Sequence, residues 1–231
     1  MAAAAACSSS PPRTAASSTT TTTASRTSPP FVSAGPRDRG QVALTFHVSG
    51  DRALAIRMLD LLKTHQVPIT AFIVGTWLDT NGDLISRFID DGHELANHTL
   101  THPAFSSLDR TAMTNEVTGC RDALLRLAGT GGRYFRPSGT ANGTDDPGPT
   151  VLDVAQGAGY ATVVGYDVDP ADYQDPGASA IAHRTSDAVQ PGSIVSLHFG
   201  HAGTIDALPD ILAALESRSL GAVVVNQLLT A

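Results

Sequence analysis

From residue 42 onward, short apolar runs alternate with amphipathic ones, and that alternation restricts the fold more than any other feature of the chain. Residues 42–46, 69–74, 93–96, 134–135, 161–166, 193–198 and 222–225 are apolar, β-branched or aromatic runs bounded by turn residues, and read as strands. Residues 54–65, 82–91, 109–127, 150–156, 179–189 and 205–217 carry the helical pattern, with Leu54, Met58, Leu59 and Leu62 on one face of the first and Asp109 as the N-cap of the third. Strands separated by helices pair in parallel, so the chain is α/β, as an open doubly wound sheet or a closed barrel. His47, Asp51, His98, His102, Arg136, Asp169, Asp172, His198 and His201 all follow strand ends. A barrel gathers such residues at one mouth, whereas an open sheet strings them along an edge at roughly 4.8 Å per strand. The expected fold is therefore a distorted (β/α) barrel of about seven strands.

Composition narrows the function. With 231 residues, 42% hydrophobic and 16% charged, the chain can bury a full core. A net charge of −7 gives no basic face for nucleic acid. No run of eighteen apolar residues occurs, so no membrane-spanning helix is expected. Residues 1–39 are rich in Ser, Thr, Pro and Ala and read as a disordered tail or linker ahead of a single domain over residues 40–231. Ala2 to Ala6 followed by Cys7 resembles the end of a bacterial lipoprotein signal, although the charged and Leu-rich parts are missing. A cell-surface, extracytoplasmic location is expected, with a cytoplasmic one as the alternative. Cys120 falls on the apolar side of a helix as a small hydrophobe, and a disulfide to Cys7 is not expected. A monomer is expected.

His98 and His102 are four residues apart, a spacing that lets two imidazoles grip one cation, and Pro103 puts the pair on a turn. Each candidate also has a plain structural role. His47 could be a packed histidine, Asp51 a helix cap, Arg136 a surface ion pair, and Asp167, Asp169 and Asp172 an acidic turn beside Pro170. His65, His93 and His183 read as structural, and His201 has no assigned role.

In order along the chain these residues resemble the polysaccharide deacetylase family, the nodulation-deacetylase-like domain of carbohydrate esterase family four, over roughly residues 41–229. His98-Thr99-Leu100-Thr101-His102 matches the family's H-[ST]-x-x-H in the context Gly92-His93-Glu94-Leu95-Ala96-Asn97. The resemblance implies that His98 and His102 are two of three ligands of a divalent metal, usually zinc (Zn2+). Phe135-Arg136-Pro137-Ser138-Gly139 corresponds to R-P-P-Y-G, in which the arginine orients the catalytic carboxylate; Ser138 and Gly139 replace Pro and Tyr. Tyr166-Asp167-Val168-Asp169-Pro170-Ala171-Asp172-Tyr173 corresponds to W-S-x-D-x-x-D-W, and Ile194-Val195-Ser196-Leu197-His198 corresponds to the family's apolar strand ending in L-x-H. His198 is then the implied general acid, partnered by Asp169 or Asp172.

The first family motif, T-F-D-D-G, is altered to Thr45-Phe46-His47-Val48-Ser49-Gly50-Asp51. The family uses the first Asp as base and the second as metal ligand. Two assignments stay open here: Asp51 as third ligand with His47 as base, or His47 as third ligand with Asp51 as base. Imidazole titrates near 6.5 and serves in either role. The resemblance implies a metal-dependent hydrolase that removes acetyl groups from a cell-surface polysaccharide such as peptidoglycan, with an acetylated glycan as partner. The alternatives are a non-catalytic carbohydrate-binding module on the same barrel and a small-molecule amidohydrolase.

Overall fold

The computed structural model describes residues 1–3 and 30–230. In chain order they form β1 (Phe31–Val32), β2 (Gln41–Val48), α1 (Arg52–His65), β3 (Thr70–Ile73), α2 (Leu78–Asn81), α3 (Ile85–Asp90), β4 (Glu94–Asn97), α4 (Arg110–Ala128), α5 (Pro149–Gly157), β5 (Val163–Val164), α6 (Ala178–Ala188), β6 (Ile194–His198), α7 (Ala202–Ser217), β7 (Gly221–Val223) and α8 (Val225–Thr230). The sheet runs β4-β3-β2-β6 with β7 paired to the start of β2, all parallel, as helical crossovers require. Single parallel bridges carry the ring onward, Asn97 to Phe135 and Phe135 to Val163 on one side, and Val168 to Val195 on the other. The result is the distorted barrel expected from the sequence.

β2 shows how strand alternation builds two layers. Val42, Leu44, Phe46 and Val48 pack with Met58, Leu59, Leu208 and Ile211 between sheet and helices. Ala43 joins Phe72, Ala96, Val164 and Ile194 in a separate cluster inside the barrel. Thr45 and His47 share the inward face of Ala43, so the last inward position of β2 delivers an imidazole to the barrel mouth.

Three expectations need correction. The domain boundary placed at residues 39 and 40 lies earlier, because Phe31–Val32 pairs with β5, Gly35 N donates to Gly192 O at 2.7 Å, and Arg37 reaches Asp167 at 2.7 Å. Phe31 is drawn in by the apolar cluster of Phe135, Tyr160 and Val163. Residues 134–135 are not a strand: Phe135 alone forms bridges, to Asn97 and Val163. The chain end adds α8, anchored by buried Val225 and Leu228. Residues 4–29 of the expected tail, Cys7 included, lie outside the described residues. Cys120 is buried and free, and burial pushes its thiol up to about 12. No helix among the described residues is long and apolar enough to cross a membrane.

Candidate active site

The turn after β4 is wound so that both motif histidines enter one cleft. Thr99 and His102 take left-handed backbone (φ 70° and 60°), a conformation that non-glycine residues keep only when tied down. The ties come from two residues that the spacing of the motif did not single out. Asn97 Oδ1 accepts from Thr99 N at 2.9 Å. Glu116 of α4 accepts from Leu100 N, Thr101 N and Thr101 Oγ1 at 2.7–2.9 Å. Both are polar residues beside a metal-type motif, which was the available signal.

His98 is fully buried, and its Nδ1–H donates to Arg136 O at 2.9 Å. That bond leaves Nε2 as a bare lone pair, and it has no hydrogen-bond partner. The His102 ring stands 4.9 Å from it, centroid to centroid. His47 stacks on the other side of His98 at 4.1 Å and 13°. Burial first, and then the neighbouring imidazoles and Arg136, holds His47 well below its ordinary value; burial and then His102 do the same for His98. Burial also lowers His102. The stacked rings are therefore neutral.

Arg136 is not a surface ion pair. It lies buried inside the barrel, its guanidinium 3.9 Å over the Phe72 ring, and donates to Val164 O, Gly165 O, Thr45 Oγ1 and His47 Nε2 at 2.8–3.0 Å. Burial brings it down to about 9. Where the family resemblance implies a carboxylate for this arginine to orient, it meets an imidazole.

His198, at the end of β6, places Nδ1 2.7 Å from Asp172 Oδ1 and Nε2 2.8 Å from His47 Nδ1. Asp172 is wholly buried and also accepts from His198 N, Tyr173 N and Thr204 Oγ1. Of the two aspartates considered as partner, Asp172 makes the contact. Asp169 lies on the cleft wall and accepts from Ala171 N, shaping the turn. Asp167 supports β6 through Ile194 N and Ser193 Oγ. His201 pairs with Asp175 at 2.9 Å at the rim.

The cleft has a volume of about 430 Å3 and is bordered by His47, His98, His102, Tyr166, Tyr173 and His198, with Pro137, Gly139 and Thr140 along one wall. The unpartnered Nε2 of His98 suits a metal, and His102 supplies a second imidazole. The third donor is missing. Asp51 is exposed and caps α1, accepting from Leu54 N at 3.0 Å, so neither its expected role as ligand nor that as base is available to it. Val48 is sealed in the outer core. Both nitrogens of His47 are engaged, by Arg136 and His198, which removes it as ligand and as base. Among the described residues no group of three His, Cys, Asp or Glu is placed to hold a metal. The donor set does not fit a three-ligand zinc site.

The family model of polysaccharide deacetylases matches residues 34–163. A chitooligosaccharide deacetylase of Rhizobium leguminosarum bv. trifolii is 31% identical over 204 residues, which cover 82% of this chain and 91% of that protein. A peptidoglycan-N-acetylglucosamine deacetylase of Bacillus cereus is 28% identical over 197 residues, covering 81% of this chain and 68% of the relative. The crystal structure of a peptidoglycan N-acetylglucosamine deacetylase superimposes with a TM-score of 0.79 at 26% identity, covering 87% of this chain and 93% of the other. With its barrel, its paired histidines and its His198–Asp172 contact, the chain belongs to the polysaccharide deacetylase family, hydrolases of carbon–nitrogen bonds other than peptide bonds.

Proposed function

We propose that this chain removes acetyl groups from N-acetylated sugars of an extracytoplasmic glycan, of the chitooligosaccharide or peptidoglycan kind. The observation that carries this reading is the His198–Asp172 pair at the cleft, an imidazole held by a fully buried carboxylate. Amide hydrolysis needs a proton for the departing nitrogen, since an amine anion is too poor a leaving group. With Nδ1 spent on Asp172, His198 Nε2 is the atom that supplies that proton. Asp172 fixes the tautomer and the orientation of the ring. The His98 lone pair, oriented from behind by Arg136 O, accepts the proton of the attacking water. Its lowered basicity makes it a weak base, so slow turnover is expected. No step runs through a metal, for want of a third donor.

The test is release of acetate from N-acetylated chitooligosaccharide by the full chain, wild type beside His198→Asn. Replacing His198 should reduce the rate about 100-fold, the lower end of what a positioned proton donor contributes. No acetate from the wild type under any substrate length would remove the reading.

A further inference from the structure

The hydrogen bonds across the cleft floor have a direction, and both ends fix it. Arg136 Nη1 can only donate, so His47 Nε2 accepts at 3.0 Å and the one ring proton of neutral His47 sits on Nδ1. At the other end Asp172 is acceptor to His198 N, Tyr173 N and Thr204 Oγ1, and takes His198 Nδ1–H as well. His198 Nε2 is then a lone pair, and His47 Nδ1–H points into it at 2.8 Å. A proton donor at this position must carry its hydrogen on that same Nε2. Two N–H groups cannot face each other at hydrogen-bond distance, so the His47 contact and the proton-donating form of His198 exclude one another.

His47 is also the less movable partner. It is stacked on His98 and edge-on to Phe72 and Tyr166, whereas His198 keeps part of its side chain open to solvent. We propose that His47 is a positioning residue that closes off His198 Nε2 and holds the site in a resting form, which substrate must displace before turnover. Its effect on turnover rests on the deacetylase reading; the blocked nitrogen does not.

Diethyl pyrocarbonate carbethoxylates an unprotonated imidazole nitrogen that has no competing bond, and peptide mass mapping locates the product. In the full chain His198 should react roughly tenfold faster in His47→Asp than in wild type, the factor that loss of one hydrogen bond of ordinary net strength gives. The aspartate offers Arg136 an acceptor and has no N–H to offer His198. Exposed His65 should keep its rate and serves as internal reference. If His47→Asp does not fold, His47→Phe keeps the ring stack on His98 and still lacks the N–H. An unchanged His198 rate in the folded variant overturns the proposal.

His47→Phe, which lacks the N–H and brings no carboxylate to that position, should release acetate from N-acetylated chitooligosaccharide roughly tenfold faster than wild type. An active wild type that the variant does not exceed overturns the resting form. Faster labelling with no acetate from either protein upholds the blocked nitrogen and removes the deacetylase reading instead.

Discussion

Asp172 receives bonds from His198 N, His198 Nδ1, Tyr173 N and Thr204 Oγ1, so both of its oxygens are occupied in a site closed to water. An amide in its place would turn an N–H group toward donors. Asp172→Asn should cost about 2 kcal/mol in urea unfolding, the scale of a buried donor left unmatched, and reduce acetate release about 100-fold. His93 gives a second residue-level outcome, away from the cleft. Burial brings it down to about 4, against about 6.5 in the unfolded chain. The sign follows from proton uptake: above pH 6.5 neither state binds the proton, and below it only the unfolded state does. Stability from His93 is complete above about 6.5 and is lost as pH falls toward 4, by about 2 kcal/mol between pH 7 and 5. Urea titrations at those two pH values should show that drop in wild type and a shallower one in His93→Gln. At this scale the sequence singled out His98, His102, Arg136 and His198, because each lies in a short motif of neighbouring residues. It could not disclose that Arg136 and His198 take both nitrogens of His47, since those partners lie 89 and 151 residues away.

At the scale of elements, the apolar run of β2 and the caps of α1 and α4 were legible, because burial and capping are set by neighbours in sequence. The two-residue β1 and the six-residue α8 were not, as neither is long enough to show a period. Residues 134–135 carry strand-like composition, but only Phe135 bridges its neighbours. Asp51 illustrates the same boundary between local and distant information: its capping bond to Leu54 N is a three-residue matter, whereas a role as ligand required the fold to turn it inward. Asp51→Ala should therefore lower stability by about 1 kcal/mol in chemical unfolding. Zinc content by mass spectrometry should stay equally low in wild type and variant, for both lack a third donor.

For the whole molecule, the segment from residue 31 to 39 works as part of the domain. It joins β5 by pairing, the end of α6 and start of β6 through Gly192 and Ser193, and the Tyr166–Tyr173 turn through Arg37 and Asp167. A chain beginning at residue 40 should unfold at lower denaturant than one beginning at residue 30, with a difference of several kcal/mol, because apolar Phe31 and a cross-strand ladder go together. Equal midpoints would show that the segment only rests on the surface. The α/β class was readable from the order of strands and helices, and the barrel from the polar residues that follow the strand ends. How it closes was not, since closure depends on isolated bridges that leave no periodic trace.

Those bridges have a further consequence. The side of the barrel built on β2, β3 and β6 is laced by continuous ladders, while the side between Phe135 and Val168 is stitched at single points. The stretch from residue 137 to 148 loops out on that stitched side, and its first residues, Pro137 to Ala141, form one wall of the cleft. Lengthening or shortening it would leave every ladder hydrogen bond in place. In a lineage of such barrels, the stitched side is where the shape of the accepted polymer can drift, while the histidines on the laced side stay fixed.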